Sequence, residues 1–380
     1  MDKRIMIVAG EASGDLHGAR LVMEALKVDP SLSFFGIGGS GMRAAGVVTL
    51  TDAAELAVVG LVEVISHFPA ICRAFNQLKK IVRTDPPDLL ILIDYPDFNL
   101  RLATLAKKAG VRVLYYVSPQ VWAWRVGRVK KIGRVVDRMV VVFPFEVPFY
   151  EKEGVPVTFV GHPLVDAVHP SMTRSRAQER FGIDPGRKTI GLFPGSRRHE
   201  IKSLFPVILE SAVLLLRDFP DLQFILPLAS SLKRNDIDPF IDSSGIEITV
   251  VEESGYDVMQ VCDAIICVSG TVTLEIALIG VPMVIIYKTA PLTYMIGRHL
   301  VKVDHIGICN IVAGERAVKE LVQHDAVPDK IVAEISRILT DKEYDLAIRE
   351  KLCQVRVKLG SGGCSAKVAE IAIKMLTERS

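Results

Sequence analysis

The sequence predicts an α/β protein made of two Rossmann-like domains, each built on a parallel sheet. Short apolar runs such as Arg4–Ala9, Leu89–Ile93 and Thr189–Phe193 are typical of strands that are buried on both faces. A turn rich in small residues and then a helical pattern follow such runs, which is the order of parallel α/β units. A chain of 380 residues is also long enough for two hydrophobic cores.

Taken in order, the strands of the first predicted domain, residues 1–165, are the apolar segments that precede turns: 4–9, 34–37, 89–93, 112–117, 138–142 and 157–160. The Gly161–Leu164 turn and the polar segment 169–180 mark the boundary. The second domain, residues 166–345, repeats the pattern with strands at 189–193, 223–226, 246–251, 264–268 and 283–287.

Residues 346–380 are predicted to form C-terminal helices. The segment Ser365–Thr377 is amphipathic and follows the glycine-rich turn 360–363. We expect it to pack back on the first domain or to contact a partner chain.

Composition and charge exclude several classes of protein. A formal net charge of +2 is too balanced for a nucleic-acid-binding protein. The six cysteines form no CxxC pair, and no signal sequence begins the chain, so we expect reduced thiols in the cytoplasm. Because no apolar run is long enough to span a bilayer, any membrane association should be peripheral.

The turn Pro194–Arg197 is the first candidate phosphate site. It follows the strand Thr189–Phe193 and leads into a helix that we expect to begin near His199. Backbone N–H groups at a helix N-terminus, together with the helix dipole, favour an anion. Gly195, Ser196 and Arg197 could therefore hold a diphosphate; the alternative is an ordinary turn with two solvated arginines.

A second turn of the same type follows the strand 264–268. Ser269, Gly270 and Thr271 precede a helix, and Glu275 lies one turn further on, where its carboxylate could accept hydrogen bonds from a ribose. Two such turns in one domain indicate a nucleotide diphosphate site. Asn310 lies in a later loop that could also reach the phosphates.

Asp94 is the candidate catalytic residue, because it ends the strand 89–93 at the edge where functional groups collect in parallel sheets. A partly shielded carboxylate at this point could accept a proton from a hydroxyl group. A helix cap or a turn residue before Pro96 are the alternatives. Asp97 is the better candidate for a cap, because a helical pattern follows it from Phe98.

Two further stretches each allow two interpretations. Trp122 and Arg125, just after the strand 112–117, could form the wall of a sugar site or belong to the core. The apolar residues between Leu61 and Cys72 could contact an acyl chain or a membrane surface, since basic residues follow them, or they could face the core.

Several cofactor sites are not supported by the sequence. The glycine turns at 10–15 and 38–41 do not match the dinucleotide fingerprint, and residues 191–196 do not match a P-loop. We interpret the triplet Asp236-Ile237-Asp238 as a loop, and the histidines lack metal-site spacing. We therefore expect neither a metal nor a cofactor.

Motifs along nearly the whole chain resemble the lipid-A-disaccharide synthase family. In chain order they are Gly10–Asp15, Asp94–Asn99, Tyr116–Arg125, Gly161–Pro163, Pro194–Arg197, Ser269–Thr271 with Glu275, and Asn310–Gly314. The segment around the two tryptophans is the most specific of these. One departure is Cys309, where the family commonly has a proline.

The resemblance implies a glycosyltransferase of the GT-B class, with two Rossmann-like domains facing a cleft. Such an enzyme joins UDP-2,3-diacylglucosamine to 2,3-diacylglucosamine 1-phosphate and releases UDP. The first domain would bind the acceptor and the second the UDP-sugar. The resemblance also implies a peripheral protein on the cytoplasmic face of the inner membrane, and it leaves a homodimer open. The alternatives are a UDP-sugar epimerase of the same fold and a non-catalytic nucleotide-sugar or lipid-binding protein.

Matched position by position, the family's essential aspartate corresponds to Asp94. Its phosphate-contacting arginine corresponds to Arg197, its nucleotide-binding glutamate to Glu275 and its loop asparagine to Asn310. The remaining candidates for substrate binding are glycine and hydroxyl residues of the turns and two residues of the tryptophan segment: Gly14, Gly195, Ser196, Ser269, Gly270, Thr271, Trp122 and Arg125. His17 lies in a variable part of the first motif and receives no role.

Overall fold

The computed structural model describes residues 3–56, 61–119, 127–253, 255–289 and 304–378, with the backbone alone for residues 61–67. The chain forms two compact units. Unit 1 contains Met1–Pro163 and Gly360–Ser380, and unit 2 contains Leu164–Leu359. Each unit has a parallel sheet of its own.

The sheet of unit 1 is built from strands β1 Arg4–Ala9, β2 Ser33–Gly38, β3 Val48–Asp52, β4 Leu89–Ile93, β5 Arg112–Tyr116, β6 Arg138–Val141 and β7 Val157–Phe159. Their order is β3-β2-β1-β4-β5-β6-β7 and all pairs are parallel. Strands β1 and β4 are neighbours in the middle of this sheet, so their C-terminal ends lie side by side. This arrangement sets the position of Asp94, which follows β4.

The sheet of unit 2 is built from strands β8 Thr189–Phe193, β9 Gln223–Pro227, β10 Thr249–Val251, β11 Ala264–Val268, β12 Met283–Tyr287 and β13 Lys319–Val322. Their order is β10-β9-β8-β11-β12-β13, again with parallel pairs. The two parallel sheets confirm the predicted α/β fold class.

Helices connect the strands. Those before the boundary are α1 Ala12–Val28, α2 Ser40–Ala44, α3 Leu61–Thr84, α4 Pro96–Lys108, α5 Arg128–Gly133 and α6 Val147–Glu151. Those of unit 2 are α7 Leu164–Ala167, α8 Arg174–Phe181, α9 Arg198–Asp218, α10 Asp238–Ser244, α11 Gly255–Val261, α12 Val272–Ile279, α13 Ile308–Ala313, α14 Pro328–Thr340 and α15 Lys342–Lys358. The last helix is α16 Cys364–Thr377.

Both faces of the first sheet are covered, which explains its continuous apolar strands. Alternate residues of β4 enter different cores: Leu90 and Leu92 join one cluster, while Leu89, Ile91 and Ile93 join the other. All five are fully buried. At about 25 cal/mol per Å² of apolar surface, such burial is the main favourable term for folding. A strand of this kind fixes the position of the polar residue that follows it.

The C-terminal segment divides between the two units, which corrects the prediction for residues 346–380. Helix α15 belongs to unit 2, where the side chain of Arg349 donates to the carbonyl oxygens of Gly280 and Asp263. Of residues 346–380, only those from Gly360 onward belong to unit 1. There, helix α16 packs beside α1 in the core that contains Leu21 and Val368.

The chain leaves unit 1 after Pro163 and returns to it at Gly360. These two passages touch, because a Cβ atom on Gly360 would lie 3.1 Å from the Cα atom of Gly161. Both glycines have positive φ, 95° at Gly161 and 89° at Gly360. Glycine adopts these angles readily, and its missing side chain permits the close approach.

Helix α3 contains the apolar segment for which core and lipid contacts were alternatives. Its second half faces the core through Ala74, Leu78 and Val82, which are at most 2% exposed. Phe68, in contrast, is 59% exposed. Of the residues between Leu61 and Cys72, Ile71 packs against this core and Phe68 does not, while the side chains of residues 61–67 lie outside the described part of the chain. Across the described part of the chain, no helix combines the length and apolarity that crossing a bilayer would require.

Candidate active site

Asp94 directly follows β4, on a turn with an unusual backbone. Asp94 and Tyr95 both have positive φ, 44° and 46°, which costs roughly 1–3 kcal/mol at each non-glycine residue. Hydrogen bonds fix this conformation. The carbonyl oxygen of Asp94 accepts from the Tyr115 hydroxyl at 2.5 Å and from the Asn99 amide at 2.7 Å, while its N–H donates to the Tyr116 carbonyl oxygen at 3.1 Å. The turn therefore holds one carboxylate in a defined place at the edge of the sheet.

The environment of Asp94 suits a proton acceptor. The pKa of its carboxyl group is raised from 3.8 to about 6, first by burial and second by the negative charge of Glu11, while the N–H of Tyr95 acts in the opposite direction. A catalytic base is most effective when its pKa lies near the working pH. Strain together with a raised pKa on one residue is typical of a functional site.

The cap prediction for Asp97 is wrong. Helix α4 begins at Pro96, and Tyr95 occupies the N-cap position, so Asp97 lies in the first turn. Its carboxylate accepts a hydrogen bond from the Arg128 guanidinium at 2.6 Å and is 79% exposed. Proline fits the first helical position because it has no N–H to leave unpaired, and the helix therefore starts two residues earlier than predicted.

Gly14 packs closely against the sheet, and its assignment as a substrate contact stays a prediction. It is buried in α1, and a Cβ atom there would lie 3.2 Å from the Cβ atom of Ala9 and 3.6 Å from the Cγ2 atom of Ile93. Its missing side chain lets the helix approach the sheet closely. The next residue, Asp15, closes the second glycine turn, since its carboxylate accepts the N–H groups of Gly39, Gly41 and Met42.

In unit 2 the Pro194–Arg197 turn ends β8, and Glu200 closes it. The Glu200 carboxylate accepts the backbone N–H groups of Ser196 and Arg197, each at 3.1 Å, and lies 3.4 Å from an Arg197 Nη atom. Gly195 has φ of 103°, and a Cβ atom there would lie 2.4 Å from Glu200 Oε2. This turn is therefore organised by a carboxylate from the first turn of α9, in the manner of a capping box.

That arrangement occupies the Ser196 N–H, one of the backbone groups that were expected to favour an anion at this turn. The N–H of Ser196 is already bound to Glu200, and the carbonyl oxygen of Ser196 accepts from the Ser231 hydroxyl at 2.6 Å. The Arg197 side chain remains 68% exposed, and an ion pair so open to solvent holds it weakly. Arg197 is thus the group of this turn that is best placed to meet a ligand.

The second turn lies beside the first. Strands β8 and β11 are neighbours, with Phe193 opposite Cys267, and a Cβ atom on Gly195 would lie 3.1 Å from Val268 Cγ2. Ser269 is anchored, since its hydroxyl donates to the Ile306 carbonyl oxygen at 3.1 Å. Around Gly270 an added Cβ atom would meet open space. The structure therefore brings together the two turns that the sequence predicted separately.

The open turn continues into α12, which carries Glu275. Thr271 is exposed at the start of this helix. Burial raises the pKa of the Glu275 carboxyl group, and the Tyr256 hydroxyl donates to it at 3.3 Å. A half-buried carboxylate that already accepts a hydroxyl hydrogen bond is chemically suited to accept others, such as those of a sugar.

Asn310 has a structural role, which corrects its assignment as a phosphate contact. Its side chain is fully buried, and its amide donates to Val318 O and Glu320 Oε1. Its carbonyl oxygen accepts the N–H groups of Ala317 and Val318. All four hydrogen bonds that the side chain can make are used inside the unit. The neighbouring Cys309 is also buried.

Trp122 and Arg125 lie outside the described residues, and their assignment stays a prediction. The groups that sequence reasoning missed are Glu11, within the motif Gly10–Asp15, and Glu200, just after the motif Pro194–Arg197. Their signal was available, since Glu200 stands three residues after Arg197 as in a capping box. Among the residues that the structure describes, no three His, Cys, Asp or Glu side chains are grouped to hold a metal ion.

Comparisons with known proteins identify the family. The family model described as lipid-A-disaccharide synthetase matches residues 5–375. The chain belongs to the lipid-A-disaccharide synthase family. A lipid-A-disaccharide synthase from Geobacter metallireducens is 66% identical over 378 residues, covering 100% of this chain and 98% of the relative. One from Coxiella burnetii is 45% identical, covering 99% of each chain.

Membership in the lipid-A-disaccharide synthase family confirms the resemblance seen in the sequence, and it makes the chain a glycosyltransferase of lipid A biosynthesis. Solved structures confirm the GT-B type of fold. The calicheamicin glycosyltransferase CalG4 has a TM-score of 0.62 at 13% identity and covers 100% of this chain and 99% of its own. UDP-GlcNAc 2-epimerase from Neisseria meningitidis has a TM-score of 0.66 at 15% identity, covering 98% and 100%. At such identities the likeness concerns the fold alone.

Proposed function

We propose that the chain transfers the sugar of UDP-2,3-diacylglucosamine to the 6-hydroxyl group of 2,3-diacylglucosamine 1-phosphate, with Asp94 as the general base. The O–H bond of the acceptor breaks and its proton passes to Asp94. The oxygen forms a bond to the anomeric carbon, the bond from that carbon to the diphosphate breaks, and UDP leaves with the electron pair. Attack from the opposite side converts an α-linked donor into a β-1,6-linked product.

One observation carries the assignment of Asp94: it combines a raised pKa with a strained turn held by three hydrogen bonds. A structural aspartate would usually be paired, which lowers its pKa. General base catalysis typically contributes 10²–10⁴-fold to a rate. We therefore expect the loss of this carboxylate to reduce turnover by about that factor.

The nucleotide half of the proposed site consists of the two adjacent turns of unit 2. Arg197 would bind and stabilise the leaving diphosphate, since its guanidinium is exposed beside a helix N-terminus. Ser269, Gly270 and Thr271 would line the opposite side of the phosphates, and Glu275 would accept hydrogen bonds from the ribose. Gly195 and Ser196 would shape the turn from which Arg197 projects.

The experiment that tests this function measures UDP release with and without the acceptor. We expect release only when both substrates are present, and loss of release but not of UDP binding in Asp94→Asn. Asp97→Asn is the matched control, because it removes an exposed carboxylate three residues away. Near-normal turnover in Asp94→Asn would remove Asp94 from the base role. Donor conversion without acceptor would indicate an epimerase, and binding without UDP release a non-catalytic protein.

The acyl chains of both proposed substrates require access to a membrane surface, and we place the protein on the cytoplasmic face of the inner membrane. The exposed Phe68 supports this proposal, together with the basic residues that follow it on the same helix: Arg73, Lys79, Lys80 and Arg83. Phe68→Ser should reduce binding to vesicles that contain anionic lipid. Val48→Ser, which changes another apolar residue of unit 1 that is 65% exposed, should not. Equal binding by both variants would reject this membrane contact.

A further inference from the structure

The turns that follow β1 and β4 are in direct contact. These strands are parallel neighbours, with Ala9 opposite Ile93, so the next residues of each strand emerge side by side. A Cβ atom on Gly10 would lie only 2.5–2.8 Å from ring atoms of Tyr95. Glycine is therefore required for the two turns to meet, and Glu11 lies next to the turn that carries Asp94.

The Glu11 side chain makes no capping hydrogen bond to the helix that it precedes. It occupies the N-cap position of α1 with an extended backbone, φ of −142° and ψ of 161°, yet its carboxylate does not cap the helix. It is exposed, and within the described ranges no hydrogen bond or ion pair joins it to another residue. The usual N-cap residues are Asp, Asn, Ser and Thr, and the longer glutamate side chain does not take that role here. Its charge is thus free to act on the neighbouring turn.

Two groups of the neighbouring turn respond to this charge. The pKa of the Asp94 carboxyl group and that of the Tyr95 phenol are both raised, first by burial and second by the charge of Glu11. This agrees with the contact between Gly10 and the Tyr95 ring.

Other polar groups near Asp94 are engaged elsewhere. Tyr115 on β5 and Asn99 on α4 bind its carbonyl oxygen and not its carboxylate. On the first turn of α4, Asp97 is paired with Arg128. The N–H of Tyr95 is the group of this turn that favours the ionised form of Asp94. These partners leave the charge of Glu11 as the long-range influence on the Asp94 carboxylate.

We propose that Glu11 is a positioning residue for the sugar transfer, whose negative charge sets the strength of Asp94 as a base. A like charge nearby makes the uptake of a proton by Asp94 more favourable. The acid form that arises when Asp94 accepts the hydroxyl proton is then stabilised as the transition state is approached. This inference rests on the proposed base role of Asp94, but it can be measured without catalysis.

The first experiment titrates Asp94 in the full chain without substrates, by NMR of carboxyl-labelled aspartate, with Asp94→Asn identifying the signal. In Glu11→Gln we expect the pKa to fall from about 6 by roughly half a unit to one unit, the size expected of one exposed like charge. Glu11→Asp, which keeps the charge, should retain most of the shift. Glu24→Gln removes a charge from the same helix about 20 Å away and should change nothing.

The second experiment records kcat/KM against pH for the same variants. The acidic limb should move to lower pH in Glu11→Gln by the same amount as the Asp94 pKa, and remain in place in Glu11→Asp. An unchanged Asp94 titration in Glu11→Gln, or in Glu11→Ser if the first variant folds poorly, would overturn the inference. If the Asp94 pKa shifts but the acidic limb of the kcat/KM profile does not, the charge coupling is upheld and Asp94 is rejected as the base.

Discussion

The carboxylate of Glu200 accepts the backbone N–H of Ser196 at 3.1 Å, so a negative charge occupies the turn where a phosphate was expected. The same carboxylate accepts the N–H of Arg197. The N–H groups of Ser196 and Arg197 are thus already hydrogen-bonded to a side chain of the same unit. A diphosphate that approaches the turn meets the charge of Glu200 together with that of Arg197.

Glu200→Gln should therefore bind UDP more tightly. Glutamine retains an oxygen that can cap the turn but lacks the charge that repels a diphosphate. We expect a gain in affinity of about threefold to tenfold at low salt, equivalent to roughly 0.7–1.4 kcal/mol, and a smaller gain at high salt. The measurement is calorimetric titration with UDP at two ionic strengths.

The stability of the same variant should change in the opposite direction. Loss of a charge at a helix N-terminus typically reduces stability by about 0.3–1 kcal/mol. Glu210→Gln, exposed on the same helix α9, is the control and should alter neither property. Weaker binding of UDP by Glu200→Gln would mean that the charge supports the nucleotide site.

Gly195→Ala should damage both folding and UDP binding. At φ of 103° an alanine is strained, and its Cβ atom would lie 2.4 Å from Glu200 Oε2. We expect a loss of more than about 1 kcal/mol in the free energy of unfolding, seen in denaturant titration. Gly255→Ala is the control, because an added Cβ atom there meets open space. Equal stability of the two variants would contradict the strained turn.

Asp94→Asn should stabilise the protein at neutral pH. The folded-state pKa of about 6 exceeds the ordinary value of 3.8, so the folded chain binds more protons between pH 4 and 6 and loses stability as pH rises through that range. Above it the ionised group costs roughly 1–3 kcal/mol. The Tm of Asp94→Asn should exceed that of the wild type at pH 8 and match it near pH 4. A gain that does not depend on pH would argue against the raised pKa.

Glu275→Gln should weaken UDP binding without unfolding unit 2. Replacing a charged acceptor that binds ribose hydroxyls typically loses roughly 1–2 kcal/mol, or about 5- to 30-fold in Kd. Burial raises the pKa of Glu275, so this carboxylate takes up a proton at a higher pH than an ordinary glutamate does. The affinity of the wild type for UDP should therefore begin to fall at that higher pH as the solution is acidified. The variant should lack this pH dependence. Unchanged affinity in titration calorimetry would exclude Glu275 from the nucleotide site.

Asn310→Ala should act on folding and not directly on the ligand. The four hydrogen bonds of this buried side chain would be lost, leaving the N–H groups of Ala317 and Val318 and the Val318 carbonyl oxygen without a side-chain partner. We expect a decrease of about 2–4 kcal/mol in the free energy of unfolding, measured with denaturant. A stable variant with reduced affinity for UDP would restore the phosphate contact that the structure contradicts.

The sequence predicted the central strands closely, because their signal is local. The predicted bounds of β1, β4, β8, β11 and β12 are those observed. The strands β3 and β13 were not predicted. Both are edge strands with largely half-exposed residues, so they lack a continuous apolar run. The fold class followed from the strands that are buried on both faces.

The candidate site was less predictable, because hydrogen-bond partners come from distant parts of the chain. Asp94 could be selected from its place at a strand end. The role of Asn310 depends on Glu320 of β13 and on Val318, which directly precedes that strand. Likewise, the packing of Gly14 depends on Ile93, which enters from β4. The residue type at a motif position therefore indicates where that residue lies in the fold. Its hydrogen-bond and packing partners determine what the residue does there.

The contact between Gly161 and Gly360 has a practical consequence. Because the outgoing and returning segments of unit 1 touch, all of unit 2 is an insertion between two points that are already adjacent. We expect a chain in which a short linker replaces residues 164–359 to form the seven-stranded sheet and its C-terminal helix, which circular dichroism and thermal unfolding would check. Such a miniature would retain Glu11 and Asp94, and it would give a smaller molecule for spectroscopy of those two carboxylates.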